Sequence, residues 1–245
     1  MINRLFIRSK ALLRRIWIEG VSNESYVKYL RKHGIRVGEN VHFRNPVYNC
    51  IDFNRPTLIE FGNNLDINEN FTVLTHDFGT FVFREVYKDF VNSSGKVKIG
   101  NNIVFGRNVT ILKGVTIGDN CIIGAGSIIT HSIPDNSVAV GAPAKVICTL
   151  DEYYKKRKSL QIKEALEYGG ELAAFKGGID KLEPGDFTEE WVLFLSKEEY
   201  DNDEKVREHV DFRLKDKVDI DDFLKRSKPY SNFESFKKAI ESNVK

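Results

Sequence analysis

Apolar residues recur along the middle of the chain with a period of six. Stepping from Ile99 gives Phe105, Ile111, Ile117, Ile123 and Ile129. Four residues later a companion register runs through Ile103, Val109, Val115, Cys121, Ser127 and Ile133. This period matches neither a 3.6-residue helix nor an alternating strand that folds back in hairpins. It matches a solenoid with three flat sides, one hexad per side and about eighteen residues per coil. Each hexad sends one large aliphatic and one small residue inward. Corners such as Gly100-Asn101-Asn102 and Gly118-Asp119-Asn120 suit Gly and Asn, which both tolerate positive φ. The phase extends backward through Val73, Ile67 and Phe61, and more faintly through Phe43 and Val37. From Val73 to Ile99 is 26 residues, not a multiple of six, so a segment is inserted there, predicted at 77–96. A loop that leaves a regular scaffold is where function usually sits.

The flanks read differently. Residues 1–34 are predicted helical: a basic segment, then a helix over 23–32 with Ser22 as N-cap and Gly34 as stop. The solenoid is expected over 35–150. From Asp151 the chain turns Glu/Lys-rich with helical apolar spacing in Tyr153–Tyr168, Thr188–Leu195 and Phe233–Ile240. Asp186-Phe187-Thr188-Glu189-Glu190 reads as a helix start, and Gly177-Gly178 and Pro184-Gly185 as breaks. The predicted domains are therefore 1–34, 35–150 and an α-helical extension 151–245. The extension shows no chemistry, and capping of the solenoid's open end is its expected role.

Composition narrows the partners. The 37 Lys and Arg are balanced by 35 Asp and Glu, a net charge of +2, so no nucleic-acid partner is expected. Cys50, Cys121 and Cys148 lack metal-ligand spacing and read as reduced thiols of a cytoplasmic protein. Met1 to Ile18 is interrupted by Arg4, Arg8, Lys10, Arg14 and Arg15, so it is neither a secretory signal nor a membrane span. A basic amphipathic helix remains, with Leu5, Ile7, Leu12, Leu13, Ile16 and Trp17 on its apolar side. It is expected to pack on protein, with an anionic membrane surface as the alternative.

The stretch IGNNIVFGRNVTILKGVTIGDNCIIGAGSIITHSIPDNSVAVGAPAKVI (99–147) resembles the hexapeptide-repeat acetyltransferases, in particular the maltose, galactoside and xenobiotic acetyltransferase group. Residues 51–91, with Asp52, Arg55-Pro56 and TVLTHDFG, look like the branch that O-acetylates surface or capsular polysaccharide. The resemblance covers about residues 35–150. It implies an all-β left-handed parallel β-helix, here with N-terminal helices and an α-helical C-terminal extension. It also implies homotrimers with active sites between subunits and acetyl-CoA as acyl donor, with no metal. The hand comes from the resemblance, because a hexad count does not set it. The implied function is transfer of an acetyl group from CoA to a sugar hydroxyl.

The same resemblance and the repeat break point to His76 as the catalytic residue. A neutral imidazole takes the hydroxyl proton as oxygen attacks the thioester, then returns it to the departing thiolate. Asp77 and Glu85 are near in sequence as groups that would hold the other ring nitrogen. For CoA, the resemblance implies Gly124 and Ala125 within GAGS (124–127), Thr130, His131, Lys145 and Arg107, with Lys145 meeting phosphate. Three positions depart from the family: Val104 stands for a frequent Trp, His131 for Lys, and Cys148 for a second basic residue. For the acceptor the candidates are Asp52, Asn54, Arg55 and Asp77, with Phe78, Phe81, Phe83, Arg84 and Tyr87 of the inserted segment. The aromatics have an equal alternative in packing against a neighbouring subunit. Three alternative functions are N-acylation of an amino-sugar nucleotide, a non-catalytic scaffold, and a γ-type carbonic anhydrase. The last needs three histidines per zinc, and His33, His42, His76, His131 and His209 lack that spacing.

Overall fold

A computed structural model describes residues 22–214 and 217–244. The basic segment 1–21 lies outside the described residues. These divide into two compact units, separated between Tyr154 and Lys155.

The first unit is a three-sided parallel β-solenoid of four coils. Its strands are β1 (Arg36–Val37), β2 (Val41–Phe43) and β3 (Cys50–Ile51); β4 (Ile59–Phe61), β5 (Leu65–Ile67) and β6 (Thr72–Val73). Then come β7 (Val97–Ile99), β8 (Ile103–Phe105) and β9 (Thr110–Ile111), followed by β10 (Thr116–Ile117), β11 (Ile122–Ile123) and β12 (Ile128–Ile129). Strands stack coil on coil into three sheets: β1-β4-β7-β10, β2-β5-β8-β11 and β3-β6-β9-β12. The register aligns Phe61 with Ile99 and Ile117, Ile67 with Phe105 and Ile123, and Val73 with Ile111 and Ile129. All of these side chains are buried, as are Cys121 and Ser127 of the companion register. A single coil cannot enclose an apolar core, so stacking is what removes these side chains from water, at roughly 1.5–3 kcal/mol for each large one.

The corners show how the polar backbone is satisfied. Asn40, Asn64, Asn102, Asn120 and Asn136 all take positive φ, between 54° and 58°. Each amide Nδ2 donates to Oδ1 of the next, at 2.9, 3.0, 2.9 and 3.0 Å, forming a ladder up one edge. The neighbouring glycines do something else. Gly100 and Gly118 have ordinary φ; a Cβ there would collide with the next coil, at Gly118 or Asp119 and at Asp135 respectively. Residue chemistry alone predicts positive φ for both residue types at these corners. The structure divides the work, because coils about 4.8 Å apart leave no space for a Cβ on that row.

Both ends of the solenoid are covered in part within this unit. Helix α1 (Asn23–Lys32), capped by Ser22, buries Tyr26, Val27 and Leu30 in the solenoid core. Asn23 donates to Val41 O and accepts from Phe43 N, each at 2.8 Å, so one amide satisfies both free groups of the edge strand β2. At the other end β13 (Ser137–Gly141) continues the middle sheet, and β14 (Ala144–Thr149) pairs antiparallel with it. The segment after β6 leaves the solenoid, carries α2 (Thr80–Val86), and returns before β7. Its base is pinned by a bridge between His76 and Ser94 and by Gly95 N donating to Thr75 O at 2.8 Å.

The second unit is helical: most of α3 (Leu150–Lys176), then α4 (Lys197–Asn202), α5 (Glu204–Leu214), α6 (Ile220–Lys225) and α7 (Phe233–Val244). Its core gathers Phe187, Trp191, Phe194, Phe233 and Phe236. The α-helix predicted to start at 186–190 is replaced by two 3₁₀ turns, Pro184–Asp186 and Glu190–Leu193. The reason is burial: Leu193, Phe194 and Leu195 are all enclosed, and a one-faced surface helix cannot bury three successive residues. No described helix is long and apolar enough to cross a membrane.

Candidate active site

Where β3 and β6 end, two consecutive coils bring their exit residues together. Asp52 follows β3 and is buried; Thr75 and His76 follow β6 one coil on. Oδ2 of Asp52 accepts from Thr75 N at 3.0 Å, from the Thr75 hydroxyl at 2.5 Å and from His76 Nδ1 at 2.6 Å. Oδ1 accepts from Asn54 N at 2.9 Å. Burial by itself pushes the Asp52 carboxyl up. The Thr75 hydroxyl, the Asn54 and Thr75 N–H groups and the His76 ring outweigh it and hold the carboxyl down at about 2.

This has a direct chemical consequence. An ionised carboxylate only accepts, so the proton shared with it belongs to Nδ1 of the neutral ring. Nε2 is then left with its lone pair. The imidazole side chain is 23% exposed, enough for a substrate hydroxyl to reach it. The Asn54 amide stands 3.4 Å from Nε2, a long donor contact that an incoming hydroxyl can replace.

Asp52 and Asp77 both differ from expectation. Asp52 was expected to meet the acceptor; it is enclosed, with both oxygens engaged, and grips the imidazole instead. Asp77, expected at the acceptor or behind the His, is instead tied into the base of the inserted segment. It pairs with Lys113 on the next coil, accepts from Ser93 Oγ at 3.0 Å and from Gly79 N at 3.0 Å. The Lys113 ammonium, helped by the Gly79 N–H and the Ser93 hydroxyl, holds its carboxyl at about 2. Lys113 also contacts Ser93, so one cation clasps both ends of the segment. Arg55, half-buried, donates from Nη2 to Asn92 Oδ1 at 3.0 Å. Phe78, Phe81, Arg84 and Tyr87 are exposed, with Arg84 lying 4.8 Å over the Phe81 ring.

The residues expected to hold CoA collect at other corners of the same unit. Gly124-Ala125-Gly126 turns the corner between β11 and β12, with Ala125 exposed. Buried Ser127 Oγ donates to Gly124 O at 2.7 Å and accepts from Gly141 N at 3.3 Å, which stiffens the turn. Gly126 has φ +72° and donates to Arg107 O at 2.8 Å. The Arg107 guanidinium reaches Glu69 at 3.7 Å. Lys145, exposed on β14, faces Val140 across the hairpin, and Val140 packs against Gly124. Thr130 and His131 follow β12, with the Thr130 hydroxyl 2.8 Å from His131 Nδ1. So Gly124, Ala125, Arg107 and Lys145 are neighbours, whereas Thr130 and His131 stand in the column above Lys113. Among the described residues no group of three or more His, Cys, Asp or Glu side chains is placed to hold a metal ion.

The sequence reading missed the Asp52–His76 contact, along with Thr75, Ser93 and Lys113. A signal for the first existed. Ile51 pairs with Val73, a coil spacing of 22 residues, and projecting the hexad phase back by that spacing sets Asp52 beside the His76 corner.

Comparison with known proteins identifies the class to which this solenoid of hexads belongs. Residues 96–131 match the family described as bacterial transferase hexapeptide (six repeats). Protein CapG of Staphylococcus aureus is 39% identical over 127 residues, covering 52% of this chain and 73% of that protein. The galactoside O-acetyltransferase of Escherichia coli (strain K12) is 37% identical over 142 residues, covering 49% and 68%. Among solved structures, a maltose O-acetyltransferase from Clostridium difficile 630 is 28% identical over 58% of this chain and 85% of that one, with a TM-score of 0.43. A galactoside acetyltransferase in complex with coenzyme A is also 28% identical, covering 60% and 82%, with a TM-score of 0.40. The chain belongs to the hexapeptide-repeat acetyltransferases.

Proposed function

We propose that this chain is an acetyl-CoA-dependent O-acetyltransferase that acetylates a sugar hydroxyl, in the assembly of surface or capsular polysaccharide. The observation that carries the mechanism is Asp52 held on Nδ1 of His76, which leaves Nε2 as a base. In the proposed reaction the acceptor oxygen attacks the thioester carbonyl while its proton passes to Nε2. The tetrahedral intermediate collapses, the C–S bond breaks, and the same proton goes to the leaving thiolate. The products are a sugar acetate and free CoA. Asp52 orients the ring and balances its transient positive charge, the part a buried ionised carboxylate serves best.

The donor assignment is supported by the relative solved with coenzyme A and by the corner at Gly124 to Ser127. There small residues leave room for a thin pantetheine arm, and Lys145 supplies a cation for phosphate. The acceptor assignment is supported by the names of the relatives, galactoside and maltose O-acetyltransferases. The Gly124 corner and the His76 corner stand at opposite ends of one solenoid side. That separation favours the reading that a second subunit completes each site, so we propose a homotrimer of left-handed coils with three shared clefts. Residues 35–150 form the proposed transferase domain and 151–245 a helical extension. We propose a cytoplasmic location, where acetyl-CoA is supplied.

The test is acetyl-CoA turnover against a panel of sugars, read by thiol release and by mass of the acetylated product. His76→Ala should lower kcat by roughly 10²–10⁴-fold while leaving CoA binding intact. Retention of more than about a tenth of the wild-type rate would overturn the general-base assignment.

A further inference from the structure

We infer that the acceptor is anionic and that Arg55 is the residue that reads its charge. This rests on the reading of His76 as the catalytic base and adds a substrate class to it.

Several cations surround the inserted segment. Lys113 is taken by Asp77, Arg84 is paired with Glu85 at 3.6 Å and Lys96 with Glu60 at 2.8 Å, while Lys88 is exposed to solvent. Arg55 is different. Its hydrogen bond goes to the neutral amide oxygen of Asn92, and no carboxylate among the described residues pairs with it. A guanidinium carries five N–H donors in a planar fork shaped to accept a carboxylate or phosphate bidentately, and this one spends a single donor.

Its position is fixed from two sides. On one side the chain neighbour Asn54 stands 3.4 Å from Nε2 of His76. On the other, Asn92 lies two residues before Ser94, which bridges directly to His76. Arg55 therefore sits between the end of the first coil, whose Asn54 contacts the ring, and the returning arm of the inserted segment, whose Ser94 bridges to the His76 backbone. It is half-buried, so the charge is held and not free to sweep through solvent. An acidic acceptor brought to Nε2 also approaches the ionised Asp52 behind the ring. A fixed cation on the same stretch of chain offsets that repulsion and orients the sugar. A neutral hexose presents no charge for it to balance.

The charge has two chemical sources: a ring carboxylate, as in a uronic acid, or a phosphate at the sugar's linkage. Both fit a guanidinium fork, and the experiment separates them. Saturation-transfer NMR titrations of the 245-residue protein, with coenzyme A present, would compare methyl galactoside with methyl galacturonoside, methyl glucoside with methyl glucuronoside, and glucose with glucose 1-phosphate. Arg55→Gln is the informative variant, since its amide still donates to Asn92 but carries no charge. The anionic member of at least one pair should bind about ten- to a hundredfold more tightly, the range hydrogen bonds to charged groups span, and R55Q should abolish that preference. Preference in the carboxylate pairs places the charge on the ring; preference in the phosphate pair places it at the linkage. Equal binding of neutral and anionic partners, equal weakening of both by R55Q, or no binding by any anionic probe would overturn the inference. Binding is read without turnover, so failure of the general-base reading would show separately, as an unchanged rate in His76→Ala.

Discussion

Two corners of the solenoid obey opposite rules. At the asparagine corner, Asn40, Asn64, Asn102, Asn120 and Asn136 repeat one residue, one backbone conformation and one hydrogen bond from coil to coil. At the corner after the third side nothing repeats. Successive coils place Asp52, then Thr75 and His76, then Lys113, then His131, and the chain departs for some twenty residues. Repetition satisfies each coil with its neighbour and leaves no group for chemistry. Breaking it lets a buried carboxylate on one coil act on an imidazole from the next. Stability and reactivity are thus assigned to different edges of the same coil, and substitutions should separate them.

The largest effect belongs to the broken corner. His76→Ala should remove roughly 10²–10⁴-fold of kcat with an unchanged circular-dichroism spectrum and melting curve. Asp52→Asn comes next, with a loss on the order of 10²-fold in kcat because Nδ1 is no longer held as a donor. That variant also has a stability signature. The Asp52 carboxyl is held at about 2 against an ordinary 3.8, so the folded state favours the ionised form. Its contribution, on the order of 2 kcal/mol, is fully present above about pH 5 and is lost as pH falls through about 2. Urea unfolding of wild type and Asp52→Asn should therefore differ most near neutrality and converge at acid pH.

The repeating corner should respond in the reverse sense. Asn120→Ala removes two ladder bonds and leaves at φ +58° a residue that tolerates the left-handed region less well than Asn, at a cost of about 1–2 kcal/mol. Urea midpoints should fall while kcat stays within a factor of two of wild type, on the ~0 kcal/mol change expected at a distant site. The smallest effect is predicted for Lys113→Met, which opens the clasp on the inserted segment. Acceptor KM should rise about two- to fivefold with kcat and acetyl-CoA KM unchanged, the modest size typical of exposed ion pairs.

What could be read in advance follows the same division. The hexad registers through Ile99 and Ile103 predicted the buried residues of the last two coils, and their backward phase Phe43, Phe61, Ile67 and Val73 of the first two, because burial in a solenoid repeats with the chain. The 26-residue gap exposed the inserted segment, and His76 stood out at its edge. Ser22 and Gly34 bounded α1 as their chemistry requires. The partner of His76 was hidden because it is supplied from 24 residues earlier, through coil stacking that no local window contains. Asp77, adjacent in sequence, was the natural guess, yet its backbone is already turning into the inserted segment and its carboxylate goes to Lys113. In the helical unit, Thr188–Leu195 has helical spacing, but consecutive burial overrides it.

The proposed catalysis requires one protonation state of one ring: Asp52 must keep the proton on Nδ1 so that Nε2 is a base. Nitrogen-15 NMR of the imidazole side chains, assigned through His76→Gln, reads this directly above the pH at which the ring protonates. The shift of Nε2 should be that of an unprotonated, pyridine-like nitrogen and that of Nδ1 pyrrole-like, with the distinction weakened in Asp52→Asn. A neutral His76 found with its proton on Nε2 would contradict the account.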